Sequence, residues 1–331
     1  MRKLLLAFAT VSLFGCGQGS TRKEEAGEEP WPRSLQTIPS PAYTLGTDDT
    51  FGSIDGATVL SSGRIVVADD MNAHLLLFSG SELTHSSGGR GEGPQEFRGL
   101  GAVHSFGTDS LLVLEPPQFR LLLFRLEADT LARLQAIDTP VRVRGFCTVD
   151  DRIFVLGNHE GHLIHEIDTH GSIVRSFGAL EEDPNPMISM MKSTGSIACP
   201  RELGAVAFAT GAFGYVRFFF EDGAREVVET IPDFSQVIFE GDARAFGPRT
   251  PEIGYSHGVT GANWVGDGLL LNLVRVDADR VRTSESRYWA GEQGWIADVA
   301  EWGEVLAVTE DGLLLRVEED PFPRLRAYQI R

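Results

Sequence analysis

Three observations predict that this chain is all-β and folds as a six-bladed β-propeller. Short apolar runs bounded by turn residues extend along most of its 331 residues, with almost no helical periodicity. A self-similar unit recurs at about 45 residues, a spacing typical of blade arrays. The 37 glycines supply the many tight turns that short strands need. With 42% hydrophobic residues the chain can bury a sizeable core, which excludes disorder for most of its length. A formal charge of -18 excludes a nucleic-acid partner, because phosphate binding needs clustered Lys and Arg.

The repeat is clearest between residues 64–78 and 110–124. Both read strand, polar turn, strand, and Asp69 aligns with Glu115, His74 with Arg120, and Phe78 with Phe124. Weaker copies stand at 152–167, 204–220, 268–289 and 304–317, each after a shorter strand-like segment such as 56–60 or 141–149. That makes six hairpins, and six four-stranded sheets close into a ring with few exposed edges. The unbroken apolar run 111–114 suits a strand covered on both faces, as a blade is by its neighbours. A β-sandwich would need the repeat to be accidental, which the alignment of the first two units argues against. Segments 41–45 and 324–330 are both strand-like, and their pairing within one blade would lock the ring.

Ahead of this body the chain divides into a leader, 1–15, and a tether, 16–40, with the propeller at 41–331. Arg2 and Lys3 precede an apolar run, 4–14, that is too short to span a bilayer comfortably and reads as a secretion signal. Leu13-Phe14-Gly15-Cys16 resembles the lipobox of bacterial lipoproteins, in which the cysteine is acylated and becomes the new N-terminus. Phe14 is bulkier than the residue usual there, and an ordinary signal peptide cut near Gly15 or Gly17 is the alternative. The resemblance implies lipidation at Cys16 and a place in the bacterial cell envelope. Gly17 stands where the inner-membrane retention signal of enterobacterial lipoproteins has Asp, which implies the outer membrane, periplasmic or surface-facing. Residues 17–29 are polar and charge-dense and read as a tether. The acidic body is repelled by anionic headgroups, so the membrane is met only through the N-terminal lipid.

Between the first two units stands the string Gly89, Arg90, Gly91, Gly93, Pro94, Glu96, Phe97. With the flanking segments 66–70 and 75–78 it resembles the connecting loop of bacterial six-bladed propeller lipoproteins related to NHL-repeat proteins. The resemblance is strong over residues 42–126 and continues, more weakly, to the C-terminus. It implies a six-bladed propeller of mostly unassigned biochemistry. The second unit departs from the pattern at Glu115-Pro116-Pro117. Read physically, the loop is structural: the glycines permit positive φ, Pro94 stiffens the path and Phe97 plugs the gap between blades. A phosphate cradle would need a following Gly-Lys-Ser/Thr, which is absent from the sequence. The string around Glu92 also resembles that around a metal-binding Glu in gluconolactonase-type enzymes, which would require axial Asn and Asp partners.

Other candidates are weaker. His159, His162, His165 and His170, with Glu160 and Glu166, crowd one hairpin at spacings that match no zinc motif, so a solvated tip comes before adventitious metal binding. His104 and His257 fall on inner strands or their mouths, where an axial metal would sit, as in the amidating-lyase branch of the fold. Asp69, Asp70 and Glu115 at strand ends are explained by turn capping. Cys147 and Cys199 each lie five residues before a hairpin, on inner strands of neighbouring blades. They could bridge if their Cα atoms come within about 7 Å, or remain two buried thiols. Loops 180–194, with Met187, Met190 and Met191, and 231–256, with Arg244 and Arg249, exceed the usual length and suit recognition or cover for the channel. Trp264, Trp289, Trp295 and Trp302 crowd the last two blades as sugar platforms or as core.

These readings lead to a non-catalytic, monomeric envelope module that binds a protein, peptide or glycan. The alternative is a metal-dependent lactonase, hydrolase or lyase with an axial site. A scaffold for envelope complexes is a third reading. No organic cofactor is expected, and calcium or zinc is the ion the enzymatic alternative would take.

Overall fold

The computed structural model describes residues 33–47, 49–200, 204–220, 223–236, 238–240, 247–249, 254–296, 299–319 and 321–330. These residues form six four-stranded antiparallel sheets and one small two-stranded hairpin. Each sheet is a blade whose innermost strand lies at one end of the strand order. The inner strands are Gly56–Val59, Val103–Phe106, Gly145–Val149, Gly195–Ala198, Tyr255–Val265 and Val305–Val308, in blades 1 to 6. In blades 1 to 3 the second and third strands are Arg64–Asp69 with His74–Ser79, Ser110–Glu115 with Arg120–Glu127, and Arg152–His159 with His162–Ile167. These are the hairpins that the repeat located.

Blade 6 is built differently from the sequence expectation. The segment taken as its central hairpin supplies the inner strand, Val305–Val308, and the second, Leu313–Glu318. The third strand is Arg324–Gln329, and the fourth comes from the other end of the chain, Tyr43–Leu45. Tyr43 stands opposite Ala327, Thr44 opposite Arg326 and Leu45 opposite Leu325. The displacement follows from closure: a blade that borrows its outer strand from the N-terminus needs only three from the C-terminal segment.

Strand alternation explains the core. Leu111 and Val113 point toward blade 1 and pack with Leu75, Leu77 and Phe97, whereas Leu112 and Leu114 point toward blade 3 and pack with Val143, Phe146 and Val155. The described residues form six such apolar wedges, one at each junction between neighbouring blades. A strand buried on both faces must be apolar at consecutive positions, which is why the run reads as continuous rather than alternating.

The leader and Cys16 lie outside the described residues, as do residues 241–246 with Arg244; Gly247–Arg249 is one strand of the small hairpin. The folded body begins before residue 41. Leu35, in the short 3-10 turn Arg33–Leu35, is fully buried against Trp302, Tyr288 and Tyr328. Its carbonyl accepts from the Trp302 indole N–H at 3.0 Å and the Ala300 N–H at 2.9 Å, so an apolar side chain and two hydrogen bonds hold this part of the expected tether. Within loop 180–194 the chain makes a helix, Pro186–Lys192, because Asn185 caps the Met187 N–H at 3.0 Å and proline suits the first turn.

Cys147 and Cys199 form a disulfide across the seam between blades 3 and 4, with Cα atoms 5.5 Å apart and 52 residues of separation. A loop of that length corresponds to about 4 kcal/mol of chain entropy removed from the unfolded state. Replacing both cysteines by serine should lower the melting temperature by several degrees and make it insensitive to dithiothreitol. A native chain whose melting point ignores the reductant would count against this clasp.

Candidate functional site

In every blade the inner strand has a sheet partner on one side only, so its other edge of N–H and C=O groups faces the axis. At the end of the ring where these six strands terminate lies a cavity of about 360 Å³. All six blades contribute, through residues such as Thr58, His104, Thr148, Trp264, Asp267 and Glu310. Turns joining inner to second strands form its rim.

Side-chain bonds across the seams hold the lining in place. Thr58 Oγ1 accepts from the Ser105 N–H at 3.1 Å, and Thr148 Oγ1 donates to the Ser105 carbonyl at 2.7 Å, tying blades 1, 2 and 3 together. The disulfide ties blades 3 and 4, with both cysteines in the cavity wall. The Trp264 indole N–H reaches the Ala198 carbonyl at 3.3 Å, from blade 5 to blade 4. Asn263 Nδ2 donates to the Val305 carbonyl at 2.8 Å, from blade 5 to blade 6.

His104 is the cavity-lining group whose titration burial shifts most clearly. Its ring meets Phe146 edge-on, with centroids 4.7 Å apart. Burial lowers its pKa from 6.5 to about 4, against an opposing hydrogen bond with the Phe146 backbone. It is therefore neutral at physiological pH. His104 lines the cavity beside Ser105.

The three weak metal candidates are not brought together. His257 lies near the start of the blade 5 inner strand and does not line the cavity. Its Nδ1 accepts from the Ser235 N–H at 2.8 Å and its Nε2 sits 3.5 Å from the Glu285 carboxylate, so both nitrogens are occupied. Glu285 in turn pairs with Arg287 at 2.9 Å and Arg275 at 3.4 Å. Burial pushes the His257 pKa down while Glu285 pulls it up. Glu92 is exposed on the loop between blades 1 and 2 and pairs with Arg98 at 2.6 Å. Among the described residues no three His, Cys, Asp or Glu side chains converge as a metal site.

The histidine-rich hairpin does not converge either. His165 is fully buried between Ser176 Oγ at 2.7 Å and the Gly157 carbonyl at 2.9 Å, and burial lowers its pKa. His170 is exposed in the following turn. Trp289 and Trp302 are core residues, Trp289 stacking on Phe218 at 4.2 Å, and Trp295 packs half-buried against the wedge between blades 4 and 5; among the described residues Trp264 is the tryptophan that lines the cavity.

The glycine-rich loop is a strut. Phe97 is buried in the wedge between blades 1 and 2, and its N–H donates to the Gly89 carbonyl at 2.9 Å. At Gly88, with φ +119, a Cβ would lie 2.5 Å from the Phe97 ring, so only glycine fits there. A Cβ on Gly91 would overlap the Glu96 carboxylate, which accepts from the Gly93 N–H at 2.8 Å. Arg90 donates to the carbonyls of Asp70 at 2.7 Å and Arg98 at 3.0 Å, and Pro94 presents its carbonyl to Arg133 at 3.3 Å.

No family model matches this chain, and no curated protein does. Solved structures do. A Bacteroides fragilis protein named as exported aligns at TM-score 0.57 and 10% identity, over 87% of this chain and 94% of the other. The RRP9 WD40 repeats align at 0.53 and 10%, over 88% and 99%, and U3-55K at 0.52 and 10%, over 86% and 98%. What they share with this chain is the propeller fold.

Within that fold the aligned carboxylates Asp69 and Glu115 perform one task. Each sits at the end of its blade's second strand and takes backbone N–H groups from the loop arriving from the preceding blade. Asp69 accepts from Gly52 and Ser53, each at 3.0 Å, and from Asn72. Glu115 accepts from the Arg98 N–H at 3.0 Å and pairs with Arg120 at 2.7 Å. The turn capping expected of them is found at Asp69, through Asn72, and not at Glu115. Asp69→Ala would strand these donors and should cost about 2–4 kcal/mol in urea denaturation. It should also speed amide exchange at Gly52 and Ser53; unchanged exchange would contradict the capping role.

The folded chain refuses a proton at His104 that the unfolded chain accepts between pH 6.5 and about 4. Its contribution to stability is full above pH 6.5 and is lost as pH falls toward 4. His104→Gln should flatten part of the acid slope of unfolding free energy, with His165 and His257, both pushed down, retaining the remainder. An identical slope in the variant would show that His104 is not buried in this way.

Proposed function

We propose that this chain is a non-catalytic, lipid-anchored module of the bacterial envelope, related to NHL-repeat propellers, that binds a protein, peptide or glycan at the axial cavity. The cavity itself carries this reading. It has the size of a small-ligand pocket, and every blade supplies part of a wall that carries hydroxyl, amide, carboxylate, imidazole and indole side chains. The seam bonds make that wall preformed, so little ordering cost attends binding. The lipobox-like Leu13-Phe14-Gly15-Cys16 supports envelope anchoring, and the exported Bacteroides fragilis structure is consistent with it. An axial metal enzyme would need converging ligands, and His104 has neither His257 nor Glu92 beside it.

The test is a screen of glycans and peptides against the full chain, read by tryptophan fluorescence and repeated with Ser105→Trp, which narrows the cavity. Trp264→Ala provides a second variant if the first melts early. Ligands found with the native chain should be lost, or bind at least ten-fold more weakly, in both variants. Ligands unaffected by either variant would move the site off the axis and overturn the reading.

A further inference from the structure

We propose that His257 is a pH-operated latch for the strap 231–236, which crosses the seam between blades 4 and 5 at the end of the ring opposite the axial cavity. The inference goes beyond the binding reading and does not depend on it. The strap leads from the outer strand of blade 4, Arg225–Thr230, toward the small hairpin. At its start Ile231 is buried in the wedge between these blades, and its N–H donates to the Gly214 carbonyl at 2.8 Å. Phe234 packs on Gly214, where a Cβ would come within 2.5 Å of its ring, and its centroid stands 5.4 Å from that of the His257 imidazole. Ser235 is tied to the start of the blade 5 inner strand by three hydrogen bonds. Its N–H donates to His257 Nδ1 at 2.8 Å, its carbonyl accepts from the His257 N–H at 2.7 Å, and its hydroxyl donates to the Tyr255 carbonyl at 3.0 Å.

The first of these bonds is incompatible with a charged imidazole. A backbone N–H can only donate, so Nδ1 must present a lone pair, and the proton of the neutral ring is on Nε2, 3.5 Å from the Glu285 carboxylate. A protonated ring carries N–H at both nitrogens, so rotating it brings no acceptor to Ser235. The Ser235 N–H must then withdraw from the ring, and the segment that carries Phe234 moves with it.

The groups around the ring set the balance. Glu285 favours the charged ring, but it is shared with Arg287 on its own strand and Arg275 on the middle strand, whose charges oppose protonation. Tyr255 meets the ring edge-on at 5.3 Å. The blade 4 turn 211–214 carries no titratable side chain, and Asp233, the ionisable residue of the strap, is exposed. Burial is the largest influence and disfavours the charge. A released strap gives the ring back to water, so release takes up a proton. The latch is therefore closed above pH 6.5 and gives way as the pH falls below it.

The experiment is amide hydrogen exchange on the full chain, corrected for the intrinsic effect of pH on exchange. Protection of the Ser235 amide should fall about five-fold or more between about pH 7.5 and pH 5, while the Leu271 amide in the middle strand of blade 5 keeps its protection. In His257→Asn, whose amide oxygen can take the place of Nδ1 but does not titrate, Ser235 should be equally protected at both pH values. Glu285→Gln, a second variant should the first prove unstable, removes the carboxylate that favours the charged ring and should move release to lower pH. Unchanged Ser235 protection in the native chain, a parallel loss at Leu271, an equal loss in His257→Asn, or an unmoved release in Glu285→Gln overturns the latch.

Discussion

Ring closure is the constraint on which the rest of this molecule depends. Each blade buries both of its faces only against its neighbours, so no blade has a complete core alone. The sixth wedge, between blades 6 and 1, exists only when the last blade meets the first. Three residue pairs between Tyr43–Leu45 and Arg324–Gln329 fasten that meeting through backbone pairing of the two ends of the folded body. Leu45 and Leu325, opposite each other there, are both fully buried and belong to the wedge between blades 6 and 1. Backbone pairing and apolar burial thus act at the same residues, and opening the closure would expose both.

Closure also creates the site. Six strands that would be exposed edges in open sheets are turned to a common axis, where their edges are shielded from pairing with another chain. Thr58, Thr148, Trp264 and Asn263 each bond to backbone on the neighbouring inner strand, and one disulfide does the same covalently. These groups therefore line the cavity and fasten its wall. A wall fastened in this way has few alternative shapes, which favours selection by charge and hydrogen-bond polarity over induced fit.

Much of this was legible in the residues. The aligned pair Asp69 and Glu115 announced the repeat, and the turn capping read for them holds at Asp69 through Asn72; that both also hold the loop arriving from the preceding blade was not legible, because the partners lie 16–17 residues upstream. Phe97 was readable as a plug, since an aromatic following a glycine-rich turn has only the inter-blade wedge to enter. The cavity was not legible. Its position depends on which end of the inner strands stays open, and that is set by how side chains from six separate segments fill the axis. His104 and His257 illustrate the difficulty. Both sit on inner strands and look equivalent in sequence, yet Ser235 and Glu285 engage the His257 ring away from the cavity while His104 packs on Phe146 in its wall.

By itself the sequence determined the class of fold, the blade number and the strand pairing within most blades. These depend on local periodicity and on turns a few residues long, and periodicity is a property of neighbours along the chain. The pairing of 41–45 with 324–330 was legible as well. Tertiary structure alone decided that residues 304–317 supply the inner and second strands of blade 6, that Leu35 joins the core, and that Trp264 rather than Trp289 or Trp302 reaches the cavity. Each of these depends on contacts between segments far apart in sequence, whose meeting is specified by the geometry of a closed ring and by no single stretch of residues.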